Sequence, residues 1–514
     1  MFDPQMIAAG LDMVLDPFVI LVVAGSGMYG LFIGAMPGLT ATMAVALLVP
    51  ITFYMESVPA IASIISMSAM AIFAGDLPGT LLHIPGTPSS AAYCNDSFAI
   101  SKQGRASVVL GVDLVLSSLG GLCGAIILLS MAPLLAEVAL QFSSYEFFWL
   151  AVLGLSCAVL ISSGSPLKGL IALLIGLLLK CVGLDITLGF PRFTFDLPEL
   201  FEGFGFIPAM IGMFGIAEIF KNVCAKENRN LEVIKYTTDI FRGLGGIFKK
   251  FWGQIIRSQL IGTAIGVLPG AGGDIASWIC YGISKRFSKN PEKFGKGSIE
   301  GIANATVANN SAISGAFIPA LVFGIPGDSL TAIIIGVLFM KGLEPGPSLF
   351  SNHADFLFAI YMVFILANLF LIPLGYIAIR LATKIMFVPP KLLNPIILGF
   401  CIVGAFAINN SNFDIGAMLF FGVLAYIMLS NGIPVAPAIL GLVLGNMLEN
   451  TFMQSMIKSE WDLTSFFHRP IAAALGIITL LLWFSPLLVK PVKRYFSGTG
   501  SNAIKDADRK DKPE

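Results

Sequence analysis

Residues 262–276, GTAIGVLPGAGGDIA, decide the fold, because a closely related pattern occurs earlier in the chain at residues 30–44, GLFIGAMPGLTATMA. The two stretches share Gly, Ile, Gly, Pro, Gly and Ala at a constant offset of 232 residues. A second break follows each stretch, IPGTPSS at 84–90 and IPGDS at 325–329. Proline and glycine interrupt helices. Two motifs in the same order therefore predict two related halves, each with two interrupted helices.

The sequence around these breaks is strongly apolar. Of 514 residues, 56% are hydrophobic and 12% are charged, whereas about a quarter of the residues are charged in a soluble domain. Several apolar runs approach or exceed the roughly 20 residues that cross a bilayer as a helix. We predict an all-α polytopic membrane protein with about ten to twelve transmembrane segments. The clearest runs are 108–132, 147–161, 167–179, 356–378 and 471–488.

Charge and residue content argue against several classes of function. The formal net charge is zero, which gives no general attraction to nucleic acid. The seven cysteines form no CxxC pair. The histidines, His83, His353 and His468, are too dispersed to indicate a metal site. No GxxxxGK(S/T) motif is present. We expect no metal, no cofactor beyond a possible coupling Na⁺, and no cleaved signal peptide.

Basic loops set the predicted orientation. Lys and Arg are concentrated at 221–257, at 285–296 and in the tail after Val489, and such loops stay on the cytoplasmic side. We therefore predict a cytoplasmic C-terminus with a disordered, mixed-charge end. The predicted organisation is a first transmembrane repeat (1–220), a cytoplasmic basic connector (221–257), a second transmembrane repeat (258–496) and a disordered tail (497–514).

The segment between Arg257 and Lys285 holds 27 residues and has basic residues at both ends. Two full spans need about 40 residues, so we predict a re-entrant hairpin that enters and leaves on the cytoplasmic side, with its turn at 268–273. A pair of ordinary helices kinked by Pro and Gly is the alternative. The first hairpin, 30–56, has no Lys or Arg. This predicts that it opens to the opposite side and that the two repeats are inverted.

Small polar residues follow each of the four breaks. A helix that begins there presents free N–H groups and the positive end of its dipole, which attract a carboxylate, and hydroxyl groups add donors. We predict that the four helix starts meet and bind a small anion. Close helix packing by small residues is the alternative. The predicted substrate-binding residues are Gly38, Thr40, Thr42, Gly86, Thr87, Ser89, Ser90, Gly270, Gly272, Gly273, Asp274, Gly327, Asp328 and Ser329.

A polar stretch, NATVANNSAIS at 304–314, precedes the last break. Polar side chains in a membrane segment are costly unless they face a cavity or one another. They therefore either supply oxygen ligands to a coupling ion or hold helices together. Intramembrane carboxylates such as Asp113 also neutralise cations or relay protons. A second polar patch, 409–412, is predicted to be a loop. The predicted coupling-ion residues are Asn304, Asn309, Asn310, Ser311, Ser314 and Asp76.

Four longer motifs carry a family resemblance. They are GAMPGLTATMAVALLVPITF (34–53), LLHIPGTPSSAAYCNDSFAISKQGRAS (81–107), GVLPGAGGDIASWICY (266–281) and FGIPGDSLTAIIIGVLFMKGLEPGPSLF (323–350). In this order they resemble the tripartite tricarboxylate transporter family, large membrane subunit (TctA). The resemblance implies a secondary transporter with two structural repeats in the bacterial inner membrane, not an enzyme. It also implies a small four-helix membrane subunit, a periplasmic substrate-binding protein, carboxylate substrates such as citrate, and a Na⁺ or proton gradient.

The family's Pro-Gly positions map onto this sequence residue by residue. One stretch departs from the family pattern: AGDLPG at 74–79 stands where relatives more often have a Gly-Gly-Ser type of sequence. Asp76 and Pro78 therefore indicate an altered first half-site. The matching positions are Pro37, Gly38, Pro85, Gly86, Pro269, Gly270, Pro326 and Gly327.

Two other classes of function remain open from the sequence. An intramembrane enzyme could use Asp76, Asp274 and Asp328 as a carboxylate site, but acids that share a proton must face each other, and no spacing requires this. A passive anion channel is the other alternative. The paired broken helices favour alternating access over a channel.

Overall fold

The computed structural model describes residues 4–36, 39–161, 165–185, 188–224, 239–386 and 390–483. Most of this part of the chain is helical, as predicted for an all-α protein. Within it, one short antiparallel ribbon pairs β1 (Gly183–Leu184) with β2 (Pro191–Arg192). The predicted tail, 497–514, lies outside the described residues, as do 225–238 of the predicted connector.

The first half contains eleven helices in the described residues. These are α1 (Pro4–Leu15), α2 (Pro17–Gly34), α3 (Ala41–Phe53), α4 (Ser57–Ala74), α5 (Asp76–Leu82), α6 (Cys94–Ile100), α7 (Ala106–Ala139), α8 (Ser144–Ile161), α9 (Pro166–Lys180), α10 (Phe206–Met210) and α11 (Ala217–Cys224). The second half follows with α12 (Leu244–Gly266), α13 (Gly272–Phe287), α14 (Ile299–Phe323), α15 (Ser329–Met340), α16 (Pro347–Asn352), α17 (Ala354–Met386), α18 (Pro390–Asn409), α19 (Asn412–Ser430), α20 (Ala436–Lys458) and α21 (Pro470–Trp483).

Seven helical stretches of the described chain are long and apolar enough to cross a membrane. Several shorter apolar helices accompany them; α3, for example, has 13 residues and reaches only roughly 20 Å at 1.5 Å per residue, less than the hydrocarbon core. The predicted ten to twelve spans included such short segments. The long stretches are Pro17–Gly34, Ser57–Leu82, Cys94–Ala139, Phe206–Cys224, Ile299–Phe323, Ala354–Ala382 and Asn412–Ser430.

The second Pro-Gly hairpin is a helix, a tight break and a helix, as its sequence predicts. α12 ends at Gly266 and α13 begins at Gly272, and between them Gly270 adopts a left-handed backbone with φ of 80°. A residue with a side chain rarely adopts that conformation. α12 already begins at Leu244, so Arg257 of the predicted connector lies inside a helix. A re-entrant course through a bilayer remains a prediction.

The two Ile-Pro-Gly breaks have the same local structure. α5 is capped by His83 and α14 by Gly324, both left-handed, with φ of 59° and 68°. In the first half, the N–H of Ile84 donates to the carbonyl oxygen of Pro78 at 3.3 Å. Ile325 donates an equivalent bond to a proline carbonyl at 3.2 Å. The repeat predicted from the motifs therefore extends to backbone hydrogen bonding.

The hairpin helices also pack in the same way in both halves. α2 lies against α4, and α12 lies against α14. At each contact a glycine faces a backbone carbonyl so closely that a β-carbon would clash with it. The distances from an added β-carbon to the carbonyl oxygen are 2.4 Å for Gly30 and Met67, 2.5 Å for Gly262 and Ala308, 2.3 Å for Gly34 and Ala71, and 2.2 Å for Gly266 and Ala312. The inverted orientation of the two halves remains a prediction.

Each half packs its long helix against the other half. α7 lies along α14, and α17 lies against both α4 and α7. The hydroxyl of Ser118 on α7 donates to the carbonyl oxygen of Asn368 on α17 at 2.7 Å. Of the residues predicted to form a loop at 409–412, only Asn410, which is left-handed, and Ser411 lie between α18 and α19, and the other two are helical. The core is therefore shared by the halves, and the breaks lie inside it.

The glycine contacts predict opposite effects for two substitutions in α12. Gly266→Ala should destabilise the fold by about 1–3 kcal/mol because the added methyl group overpacks against Ala312. Gly253→Ala, on the same helix but with open space around it, should stabilise it by about 0.5–1 kcal/mol through helix propensity. Thermal unfolding of the two purified variants in detergent measures the difference. Equal melting temperatures would contradict the packing described.

Candidate functional site

Three of the four breaks meet at one place in the molecule. These are the break after α5, the tip between α12 and α13, and the break between α14 and α15. The backbone N–H of Ser89 donates to Asp274 Oδ1 at 3.0 Å, which joins the first half to the second. The N–H of Gly270 donates to the carbonyl oxygen of Gly327 at 2.8 Å. The first break is thus hydrogen-bonded to the second, and the second to the third.

Ser89 is the most connected residue at this junction. Its hydroxyl lies 2.9 Å from Thr87 Oγ1 and accepts a hydrogen bond from Asn309 Nδ2 at 3.0 Å. Its carbonyl oxygen accepts a bond from the Ser277 hydroxyl at 3.1 Å. The indole N–H of Trp278 donates to the carbonyl of the preceding proline at 3.1 Å. Every group of Ser89 therefore contacts the second half or its own turn.

The turn that carries Ser89 is held closed by its own side chains. The N–H of Thr87 donates to Ser90 Oγ at 3.1 Å, and the N–H of Ser90 donates to Thr87 Oγ1 at 3.1 Å. Gly86 donates to the carbonyl oxygen of Gly75 at 3.1 Å. A β-carbon at Gly86 would lie 2.6 Å from that oxygen. Glycine is needed here for a close backbone approach, whereas the two hydroxyl groups order the turn.

Two carboxylates lie side by side at the junction. Asp274, in the first turn of α13, has an exposed side chain. Asp328 caps α15: its Oδ1 accepts the N–H and the hydroxyl of Thr331, each at 2.8 Å. A β-carbon at Gly272 would lie 2.9 Å from Asp328 Cβ. No Lys, Arg or His among the described residues forms an ion pair with Asp274 or Asp328.

The fourth break is only partly described. Pro37 and Gly38 lie outside the described residues. Thr40 caps α3, its Oγ1 accepting the N–H of Met43 at 3.2 Å, and Thr42 is half-buried. In the part of the chain that the structure describes, no hydrogen bond links Thr40 to the other breaks. α3 and α15 pack together, and the Lys341 ammonium at the end of α15 donates to carbonyl oxygens at the end of α3.

The polar stretch on α14 divides into residues with different partners. Asn304 accepts a bond from the Ser258 hydroxyl at 2.7 Å, and Ser311 donates to the carbonyl oxygen of Gln259 at 3.2 Å. Both hold α14 to α12, which is the interhelical role left open by the sequence. Gly273 lies so close to α14 that a β-carbon there would be 2.5 Å from Asn309 Oδ1. Asn309 therefore belongs to the junction.

Two further carboxylates bond partners outside the junction: Asp76 at the start of α5, and Asp113 on α7 where it packs against α14. Asp76 Oδ1 accepts the hydroxyl of Tyr93 at 2.6 Å, and Asp113 Oδ1 accepts the hydroxyl of Thr306 at 3.1 Å. Tyr93 lies beside both carboxylates. Sequence reasoning missed Tyr93, and it included Thr306 only as one polar residue of the stretch 304–314. The only available signal was the polar composition of the segments that contain them.

Asp96 is a further residue that the sequence did not single out. Its Oδ1 accepts the N–H groups of Gly297 at 2.7 Å and Ser298 at 2.9 Å, and its Oδ2 accepts the hydroxyl of Tyr281 at 2.6 Å. These bonds join α6 of the first half to α13 and to the start of α14. Asp96 therefore has a structural role at the edge of the junction, because both of its carboxylate oxygens accept hydrogen bonds that hold the two halves together.

Residues 20–440 match the sequence model of the tripartite tricarboxylate transporter TctA family. The chain belongs to this family. It is 35% identical over 474 residues to an uncharacterized 52.8 kDa protein of the TAR-I ttuC' 3' region of Agrobacterium vitis, covering 92% of this chain and 94% of that protein. It is 38% identical over 228 residues to an uncharacterized protein of the TAR-II ttuC' 3' region, covering 44% of this chain and 94% of that protein. No solved structure is significantly similar to it.

Family membership identifies this TctA protein as a multi-pass membrane transporter component. The geometry agrees with that class better than with an enzyme. The three acids of the enzyme alternative are distributed over two places, Asp274 and Asp328 at the junction and Asp76 beside Tyr93. They do not converge on one reaction centre in the described structure. In this TctA protein the junction of breaks joins polar groups from both halves.

Proposed function

We propose that this TctA protein is the large transmembrane subunit of a binding-protein-dependent secondary transporter. It takes up a small carboxylate, of the tricarboxylate or dicarboxylate type, driven by a Na⁺ or proton gradient. Its partners are a small four-helix membrane subunit and a periplasmic substrate-binding protein. It works in the bacterial inner membrane with its C-terminus in the cytoplasm. The observation that carries the proposal is the junction where Ser89 of one half bonds Asp274 of the other.

The junction has features that suit a carboxylate accompanied by a cation. α13 and α15 both begin there, with 16 and 12 residues, and their positive dipole ends favour an anion. Asp274 and Asp328 lie at the same place, and two carboxylates without a cationic partner repel a third. An anionic substrate therefore needs accompanying positive charge in order to bind. This requirement favours coupled uptake over a passive anion channel.

The bond between Ser89 and Asp274 also favours alternating access. A site whose two sides belong to different halves opens when one half moves relative to the other. The contacts that cross the junction are single hydrogen bonds between main-chain groups and small polar side chains. Water can replace such hydrogen bonds when the halves separate, at a lower cost than exposing an apolar interface. A continuous open pore would not need paired breaks in both halves.

Uptake by the reconstituted complex tests the proposal. The chain, its small membrane subunit and its binding protein are placed in liposomes, the binding protein is loaded in turn with labelled carboxylates, and Na⁺ or pH gradients are imposed separately. We expect accumulation of at least one carboxylate that stops when an ionophore collapses one of the two gradients. Liposomes that lack the large subunit are the control. Uptake that ignores both gradients, with a loaded binding protein, would contradict the proposal.

A further inference from the structure

Two buried carboxylates that the junction does not use lie between α5 and α7. Asp76 is 2% exposed and Asp113 is 0% exposed. Each accepts one hydrogen bond on Oδ1, from Tyr93 and Thr306 respectively. Oδ2 of each carboxylate is buried and has no hydrogen-bond partner. Two such oxygens in a core of low polarity indicate a position that favours positive charge.

The surroundings supply no permanent cation. Among the described residues, no Lys, Arg or His forms an ion pair with either Asp76 or Asp113. The other titratable groups that face them are Tyr93 and Cys94, both neutral donors in their usual state. Two carboxylates close together in a low dielectric cannot both remain charged without compensation. A mobile monovalent cation supplies that compensation.

Two further polar side chains independently point to a ligand at this place. Ser117 is 0% exposed and Asn310 is 1% exposed. The hydroxyl of Ser117 and both amide atoms of Asn310 are buried without a hydrogen-bond partner. A buried amide with neither atom satisfied is rare in a protein interior. Oxygen atoms of this kind are the ligands that hard cations prefer.

The register of α7 and α14 places these side chains in the same interface. Asp113 on α7 contacts Thr306 on α14. About three turns further along α7 and about two turns further along α14, a β-carbon at Gly124 would lie 2.9 Å from Ser314 Oγ. Residues four apart on a helix share a face, so Ser117 follows Asp113 and Asn310 follows Thr306 between these two levels. A β-carbon at Gly120 would lie 3.3 Å from Asn310 Cβ, which fixes Asn310 against α7.

We propose that Asp76 and Asp113, together with Ser117 and Asn310, bind the coupling cation, a proton or Na⁺; this rests on the proposed function. The cation replaces the missing positive charge and reaches the oxygen atoms that the protein leaves unpaired. It bridges the halves, because α7 belongs to the first and α14 to the second. The neighbouring Asn309 bonds Ser89 at the junction. Consecutive asparagines of α14 therefore connect cation binding to the substrate site.

The decisive variant is Asp113→Asn, compared with Asp12→Asn on the exposed face of α1. In liposomes that contain the whole complex, we expect Asp113→Asn to lose at least about tenfold in gradient-driven accumulation. If the cation is a proton, asparagine mimics the protonated carboxyl group, so exchange of labelled for unlabelled substrate should stay within about threefold of the unmodified protein. If the cation is Na⁺, exchange should fall together with accumulation, because the anionic substrate binds with the cation. Asp12→Asn should change neither rate. The fold is checked by size-exclusion profile and thermal unfolding.

The second variant, Asn310→Ala, distinguishes the two cations. If Na⁺ is the ligand, this substitution should raise the half-saturating Na⁺ concentration at least about tenfold. If a proton is the ligand, it should instead displace the midpoint of the pH profile. Either outcome supports the site. Folded Asp113→Asn and Asn310→Ala proteins with unchanged accumulation, Na⁺ dependence and pH dependence would overturn it.

A direct measurement of cation binding to the purified chain tests this inference separately from the proposed transport function. The purified chain is titrated with radioactive Na⁺ and, separately, with acid while proton uptake is followed. We expect one cation to bind to the unmodified chain, and none at this site in Asp113→Asn. If the complex transports no carboxylate but the binding difference persists, the proposed function fails and the cation site stands. If transport is gradient-driven and the two chains bind the cation equally, the site fails and the function stands.

Discussion

Replacing Asp274 by alanine is expected to reduce carboxylate uptake by roughly 10- to 100-fold. The substitution removes the acceptor of the Ser89 N–H, a bond of 3.0 Å that joins the two halves. A hydrogen bond to a charged group contributes about 1.5–3 kcal/mol, and each 1.4 kcal/mol is a factor of about ten. Initial uptake rates in reconstituted liposomes, with saturating loaded binding protein, give the ratio.

Asp274→Asn separates the bond from the charge. Asparagine keeps an oxygen that accepts the Ser89 N–H but loses the negative charge beside Asp328. If the charge matters for the accompanying cation, Asp274→Asn should transport with a weakened Na⁺ or proton dependence, whereas Asp274→Ala should also bind substrate poorly. Asp12→Asn is the matched control for removal of a carboxylate. Uptake by Asp274→Ala at the rate of the unmodified protein would remove the junction from the proposed site.

Replacing Gly327 by alanine is expected to abolish uptake and to lower thermal stability. A β-carbon at Gly327 would lie 2.7 Å from both Cα and Cβ of Ala316 and 2.9 Å from the carbonyl oxygen of Gly266. The break would then have to move away from α14, and its bond to Gly270 would be lost. Overpacking of this kind costs about 1–3 kcal/mol, and the displaced segment carries Asp328.

Two companion variants make this prediction specific. Gly282→Ala on α13, where an added β-carbon meets nothing within 4 Å, should unfold at the same temperature as the unmodified protein or slightly higher. Ala316→Gly combined with Gly327→Ala removes one of the clashing atoms, so the double variant should recover part of the lost stability and show a non-additive cycle. Normal uptake by Gly327→Ala alone would show that close approach of the break to α14 is not required.

The sequence predicted the elements that depend on local chemistry. The Pro-Gly pairs of the repeated motifs interrupt helices, so the breaks after α5 and between α12 and α13 lie where their motifs place them, although another pair, Pro78-Gly79, lies inside α5. Paired motifs also predicted that the halves are related, and the matching glycine contacts of α2 and α12 agree. The composition predicted a membrane protein. The number of spans counted from apolar runs is larger than the number of long helices, because short apolar helices such as α3 were counted as spans.

Contacts between distant segments were beyond local reasoning. Nothing in the sequence near Asp76 indicates that Tyr93 donates to it, because that contact depends on how the segment before α6 folds back onto α5. Nor does the sequence indicate that Asp113 meets Thr306, because that contact depends on how α7 packs against α14. For the same reason the bond between Ser258 and Asn304 was not predicted; the role of Asn304 as an ion ligand stays a prediction. Which carboxylate is transported, which gradient drives it and whether the repeats are inverted stay predictions, since each depends on the membrane or on partners.

The packing of α7 against α14 has a consequence for the biosynthesis and membrane insertion of the protein. Asp113 and its partner Thr306 are separated by 193 positions, so the ribosome makes the first long before the second. Until then, α7 carries a carboxylate in the bilayer with no donor from α14. The first half therefore cannot complete its structure on its own. We expect the first half to stay bound to the insertion machinery, or to a membrane chaperone, until the second half has been synthesised and inserted.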